Sequence, residues 1–491
     1  MNKVKEILKD KKLYIFLLIS LVFFGIFVRT NFATDTYAVI GYSRENITDN
    51  FLRSGRIITA LWWNLMCFTK LTIGKVHFIS AIVAFGALTL SLYKICRIIE
   101  KDLKNEILSI ILSTVIIINP FSLELFMYIE NGIMILAVLF CICALESFIK
   151  ILDDDNKKKN TILSLIYMTL AVFCYQGVVA IFVALSVIYI LRKSEKFTEF
   201  IKNLVLSLTI YGIPALLNFI IVRFVFVGQR VDGEIEIMES ISKLIFGCKS
   251  MLITYFILPK YFYMACLGII LLVYFYAICH SKKWLEIIKL CFLVFITTIL
   301  TILPQAMQNT DFISFVPRST YAFASIFGMI ELMCVLFIKE NLDNNKLEEY
   351  TKNIIVVLSS VFLMVQFYRF NFIEVDHYNM NYLDKSISLK IGQMIEEYEK
   401  TTGNKVEKIS IYRDAETIYG YSNLFIVGDI NASGFDTSWS DANMINYYNN
   451  LNLKKVKNNE EIKQHFSEEN WDKFNEKQVI FEGDTLHLCI Y

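Results

Sequence analysis

Long apolar runs separated by short charged loops constrain this chain more than any other feature. The first, LYIFLLISLVFFGIFV, follows the basic stretch MNKVKEILKDKK. Further runs recur at about 75–95, 107–125, 132–151, 161–175, 177–192, 203–226, 261–279, 286–303, 319–338 and 353–370. A helix rises ~1.5 Å per residue, so ~20 apolar residues cross the hydrocarbon core of a bilayer. Lipid offers no hydrogen-bond partners, so a spanning segment satisfies its own backbone as a helix or pairs it in a closed barrel. Barrels are built from short alternating strands, and these runs are continuous. The pattern predicts an α-helical polytopic membrane protein with about eleven transmembrane helices, the first (13–29) a retained anchor without a small-residue cleavage site.

Composition agrees: 55% of residues are hydrophobic and 19% charged, with a net charge of +1. Near-neutrality gives no sign of nucleic-acid binding, and the basic residues read better as topology markers. Cys141, Cys143, Cys174, Cys266, Cys279 and Cys334 fall in predicted spans, where a thiol behaves as a small hydrophobe, and their spacing suggests neither a disulfide framework nor a metal site.

With eleven crossings, the segments KVKEILKDKK, CRIIEKDLKNE, DDDNKKKN, LRKSEKFTEFIKN, HSKKWLEIIK and IKENLDNNKLEEYTKN all fall on one side. The positive-inside rule makes that side cytoplasmic, which puts the amino terminus inside and the carboxyl terminus outside. Arg44, Arg53, Arg56, Lys70 and Lys75 then lie outside, against the rule, and call for another explanation. Between Leu52 and Thr72, Ile57, Leu61, Trp62, Leu65 and Phe68 recur at helical spacing, which suggests a helix lying along the outer surface. The stretch 241–258, with Lys243 and Lys249, reads as a second interfacial helix.

The transmembrane domain is expected over 1–371 and a small extracytoplasmic α/β domain over 372–491. In the latter, LDKSISLKIGQMIEEYEK predicts an amphipathic helix, ISIYR (409–413) and LFIVG (424–428) strands, SDANMINYYNN a helix capped at Ser440, and VIFEGDTLHLCIY a strand or hairpin. This domain carries no phosphate-binding loop, dinucleotide turn or metal-ligand cluster, and His377, His465 and His487 are scattered.

Intramembrane ionisable residues mark transport pathways, because an unpaired charge there is costly. Few occur here: Glu146 and Glu331 toward the cytoplasmic half, Asn218 and Arg223 in the outer half of the seventh span. Pro214 breaks one span without a counterpart, whereas transporters tend to pair such breaks in two similar halves. The outer loops are richer in chemistry, supplying Asp35, Asp49, Glu124, Glu130, Asp232 and Asp311 beside Arg53, Arg56, Arg230, Lys260 and Arg318. Cations and carboxylates at one membrane surface suit a lipid-linked phosphate held by guanidinium groups while an acid's conjugate base takes a hydroxyl proton.

Asp35 in the first outer loop, LRSGRIITALWW (52–63), INPFSLELFMYIENG (118–132), YQG (175–177), QAMQNTDFISFVPRSTYAF (305–323) and the carboxyl-terminal domain together resemble the bacterial type II glucosyltransferases. These modify O-antigens and related surface polysaccharides and belong to the GT-C class of polytopic enzymes. The resemblance implies transfer of a glucosyl or similar hexosyl unit from an undecaprenyl-phosphate donor to a polysaccharide or lipid-linked glycan acceptor on the outer face. It implies Asp35 as the general base, Arg56 and Arg318 as donor-phosphate ligands, and Glu124, Glu130, Tyr175, Gln176 and Asp311 as substrate contacts. Family members often carry a paired acid in the first loop, whereas Asp35 is followed by Thr36 and Tyr37, so this chain lacks an evident second acid for a metal there. No metal or other cofactor is expected, since the arginines supply positive charge. A single base and a phosphate leaving group imply inverting displacement. The alternative reading is a lipid-linked glycan flippase or transporter.

Overall fold

In the computed structural model, residues 7–29, 32–228, 237–253, 257–306, 316–341, 345–413, 430–467 and 474–490 are described. Helices dominate. They are α1 (Lys11–Phe24), α2 (Thr34–Gly41), α3 (Arg44–Arg53), α4 (Ile57–Phe68), α5 (Ile73–Leu103), α6 (Glu106–Ile117), α7 (Ser122–Leu125), α8 (Asn131–Leu152), α9 (Lys157–Cys174), α10 (Ala180–Lys193), α11 (Phe197–Phe224), α12 (Ile237–Ile253), α13 (Lys260–Ser281), α14 (Leu285–Ala306), α15 (Tyr321–Ala324), α16 (Ile326–Asn341) and α17 (Asn345–Thr402). Then follow β1 (Lys408–Arg413), α18 (Asp441–Asn449), β2 (Lys454–Lys455), α19 (Glu460–Ser467), β3 (Val479–Glu482) and β4 (Thr485–Ile490). The chain divides into two compact units. One holds Met1–Val28, Thr48–Phe126 and Glu130–Phe370; the other holds Arg29–Ile47, Met127–Ile129 and Asn371–Tyr491.

Among the described residues, eight helices are long and apolar enough to cross a membrane. They coincide with eight of the eleven spans expected from the sequence. The other three are also helical but fall short of that standard. The run 107–125 forms the 12-residue α6, an irregular link over 118–121 and the four-residue α7. The run 319–338 breaks after α15 and continues as the 16-residue α16. The run 161–175 lies, up to Cys174, in the 18-residue α9, whose first turn carries Lys157, Lys158 and Lys159.

The first unit is layered. The inner helices are α8 and the segment Gln176–Lys193, whose most apolar windows are 72% and 78% buried. The peripheral helices α1, α11, α13 and α14 are only about a third buried over theirs. Their outer faces carry exposed Leu18, Leu216, Leu272 and Phe295, the disposition of a bundle bathed in hydrocarbon. Several of the charges that enter this bundle are paired, while the fully buried Glu331 accepts a hydrogen bond from the Ser359 hydroxyl. Arg192 donates to Glu286, Glu340 and the Met333 carbonyl, and Lys94 and Lys150 both donate to Glu146. Such pairing is what low dielectric demands. In α4 the expected apolar stripe is present: Leu61, Leu65 and Phe68 are exposed while Thr59, Ala60 and Trp63 are buried. Residues 241–253 lie in the 17-residue α12.

α17 runs unbroken for 58 residues, where the sequence suggested a span followed by a separate helix. It contains no proline and its only glycine is Gly392, so nothing in its backbone forces a stop. The second unit packs a four-stranded sheet of order β2-β1-β4-β3. β1 runs parallel to β2 and β4, while β3 and β4 form the expected antiparallel hairpin. Tyr398 of α17 stacks on Phe481 of β3 at 4.4 Å between ring centres and donates to the Gly483 carbonyl of the hairpin turn. α18 begins after Ser440 as expected, but that hydroxyl bonds the Gly434 carbonyl rather than capping the helix. The expected strand 424–428 lies outside the described residues. His487 bonds the Tyr412 hydroxyl across β4 and β1, and His377 lies buried against Asn381.

Candidate functional site

In the first unit, the site is built on a helix stop. The Arg56 N–H donates to the Phe51 carbonyl and the Gly55 N–H to Leu52, the paired bonds of a Schellman ending to α3. Gly55 sits at φ +73°, a left-handed conformation that a side chain disfavours. Its carbonyl accepts from Asn218 Nδ2 at 2.7 Å and Gln176 Nε2 at 2.9 Å, which ties the turn to two other segments. This ending aims Arg56 inward. Its Nη1 donates to Glu130 Oε1 at 3.4 Å and its guanidinium lies 4.8 Å from the centre of the Tyr175 ring. A cation over an aromatic face is held by the ring quadrupole as well as by packing.

Arg318 is held more tightly. Its backbone N–H and its Nη1 each donate at 2.6 Å to the two oxygens of Glu124, a fully buried carboxylate. Glu124 lies in α7 because the preceding link is itself locked. Asn119 Oδ1 accepts from the Phe121 N–H, while its amide nitrogen donates to Ser325 Oγ. Tyr321 and Ser325 in turn donate to the Ile117 and Ile116 carbonyls. The orphan carbonyls at the end of α6 are thereby satisfied, as buried backbone requires.

Gly177 joins the two halves of this cluster. A Cβ there would lie 2.7 Å from both the Arg318 carbonyl and the Tyr175 ring, so only glycine admits this approach. Tyr175 consequently lies within electrostatic reach of Arg56, Arg318, Glu124 and Glu130 together. Six residues singled out from sequence thus assemble in one place: Arg56, Glu124, Glu130, Tyr175, Gln176 and Arg318. Gln176 has a specific task there, spending its amide on the carbonyls of Ser54 and Gly55. Asp311 lies outside the described residues, as do Arg230 and Asp232. Of the residues that hold the cluster together, Asn119 lies within the INPFSLELFMYIENG stretch and Asn218 is a polar residue within a span, while Ser325 carries no motif that singles it out.

Asp35 belongs to the second unit. It occupies the first turn of α2, where the helix N-terminus favours negative charge. Its Oδ1 accepts a hydrogen bond from Trp439 Nε1 at 3.1 Å. α2 is fixed on α18 by the Tyr37 and Tyr448 hydroxyls, 2.9 Å apart, and by edge-on contacts of the Phe32 ring with Tyr37 and Tyr447. The loop that carries Trp439 is itself pinned. Ser433 Oγ and the Gly434 N–H donate to Asp384, and the Ser433 N–H donates to Asp436. Burial raises the Asp436 carboxyl above the ordinary range, against the lowering pull of the Ser433 N–H and Arg413. Trp439 was not anticipated from sequence.

Among the described residues no group of three or more His, Cys, Asp or Glu side chains is disposed to hold a metal ion. No protein-family model, curated protein or solved structure matches this chain.

Proposed function

We propose that the protein is an integral-membrane glycosyltransferase of the GT-C kind. On this reading it moves a glucosyl or similar hexosyl unit from an undecaprenyl-phosphate carrier to a surface polysaccharide at the outer face of the bacterial cytoplasmic membrane. The observation that supports it most is the cluster around Tyr175, where two arginines and two largely buried glutamates meet in a bundle of apolar helices. An arginine is permanently charged and presents its N–H donors in a fixed planar fork, which suits phosphate. Glu124 and Glu130 hold the forks of Arg318 and Arg56 in place, which spares the ordering cost when the donor phosphate binds.

Asp35 takes the role of base from the sequence resemblance. The acceptor hydroxyl oxygen attacks the anomeric carbon, its proton passes to the Asp35 carboxylate, and the bond from that carbon to the phosphate oxygen breaks. Polyprenyl phosphate leaves with the bonding pair, and the configuration inverts. The phosphate carries the developing charge, and the arginines stabilise it there. The reading requires no metal, gives the eleven-span topology with the amino terminus inside, and puts residues 372–491 outside.

The test supplies membranes with polyprenyl-phosphate hexose and follows transfer of labelled sugar. Asp35→Asn and Arg318→Ala should each abolish transfer at unchanged protein abundance, and full activity in D35N would remove Asp35 from the role. In a deletion strain, sugar analysis and NMR should show a surface polysaccharide lacking one side-branch residue. Loss of the whole glycan from the surface would point to a flippase instead, and an unaltered glycan would exclude both.

A further inference from the structure

Trp439 is 43% exposed, yet the edge of its indole is engaged. The Nε1–H donates to Asp35, while the residue's own carbonyl accepts from Asn443 Nδ2 at 2.9 Å. Asn443 lies against Gly41 so closely that any side chain at Gly41 would displace it. The ring is therefore pinned by its N–H edge and by its backbone, while nearly half of its surface remains open. Tryptophan is a large rigid aromatic with few rotatable bonds, and its π face carries partial negative charge. One face of a pyranose ring presents a row of C–H bonds with partial positive charge, which complements such a surface. The neighbouring carboxylate accepts hydrogen bonds from hydroxyl groups at the ring's rim.

We propose that Trp439 and Asp35 form a binding site for a pyranose ring of the acceptor, the sugar stacking on the indole while the indole N–H orients the carboxylate. This rests on the glycosyl-transfer reading for its place in a reaction, but not for the binding itself. Trp439 is a positioning residue for Asp35 and a contact for the sugar. A hydroxyl of a stacked ring lies beside the carboxylate that the tryptophan holds.

Full-length protein in nanodiscs, labelled with 15N at its five tryptophan indoles, tests binding without turnover. Trp439→Phe identifies the Trp439 resonance by its loss. Asp35→Asn should move that resonance to lower proton frequency with no sugar present, since a neutral acceptor polarises the N–H less. Methyl glucopyranoside, galactopyranoside or mannopyranoside should shift it, whereas sorbitol, an open-chain polyol, should not. No response to any of the pyranosides overturns the proposal. Broadening by a spin-labelled lipid without a sugar response also overturns it, and seats Trp439 in lipid headgroups. In the transfer assay Trp439→Ala should raise the acceptor KM about tenfold, the size of a lost aromatic contact. Trp439→Phe should restore KM but leave kcat reduced, because the ring returns without the N–H. A wild-type protein that binds pyranosides at Trp439 but transfers no sugar would sink the transferase reading and leave the site standing.

Discussion

At the scale of single residues, the sharpest expectations concern groups whose partners are buried with them. Glu124 is fully buried and holds Arg318 by two bonds. Glu124→Ala removes the buried carboxylate that holds Arg318 and leaves an apolar void in its place, and removing one partner of a buried pair costs about 3–5 kcal/mol. The apparent melting temperature of the detergent-solubilised protein should fall sharply, while Arg53→Ala, which breaks an exposed pair with Asp49, should leave it nearly unchanged. His487 offers a pH test of the second unit. Its burial lowers the imidazole pKa below 6.5, although Glu482 pulls the other way. The folded state therefore favours the neutral ring, whose hydrogen bond with Tyr412 joins β4 to β1. A depressed base contributes stability that is present above its unfolded pKa and lost as pH falls from there through the folded value. Thermal stability should thus decline on acidification below about pH 6.5, and His487→Gln should flatten that decline. Arg56, Glu124, Glu130, Tyr175 and Arg318 were legible as candidates because charge and aromatic rings beside apolar runs are conspicuous. The bonds that Asn119 and Asn218 make were not, since an asparagine's satisfaction of backbone carbonyls leaves no pattern in the chain.

At the scale of elements, two helix contacts depend on the absence of a side chain. Gly177→Ala places a methyl group 2.7 Å from the Arg318 carbonyl, a backbone atom that cannot swing away. Overpacking of this kind costs about 1–3 kcal/mol and should shift the turn that carries Arg318. The expected result is lower transfer activity in parallel with a lower melting temperature, and a variant with wild-type stability and activity would contradict the close approach. In the second unit Gly41→Ala displaces Asn443 and so frees the Trp439 carbonyl. The Trp439 indole resonance should broaden or move even though neither Trp439 nor Asp35 has changed. Helix type was legible wherever the apolar run was long, because burying a backbone without water leaves a helix few competitors. Helix ends were less so. α17 continues past the expected boundary at residues 371–372, since the change from apolar to polar composition alters what the helix faces but not its backbone geometry.

At the scale of the whole molecule, the proposed orientation makes the loops 153–160 and 193–197 cytoplasmic and residues 372–491 external. Single cysteines placed at Lys158 and Lys457 in a cysteine-free background should react oppositely with a membrane-impermeant maleimide in intact cells. Labelling is expected at 457 only, and the reverse pattern would invert the topology. That the chain is a multi-helix membrane protein followed by a small α/β segment was determined by sequence alone, because hydropathy over ~20 residues is a local property and lipid leaves a continuous apolar run of that length the helix as its solution. The sequence also marked most of the charged residues that gather around Tyr175. Only the tertiary structure decided that Arg56 pairs with Glu130 and Arg318 with Glu124, that Gly177 closes the cluster, and that the first-loop segment Arg29–Ile47 folds with the carboxyl-terminal residues so that Asp35 meets Trp439. Those pairings join residues separated by 74, 194 and 404 positions, and contacts at such range arise from how helices pack, which no local periodicity records.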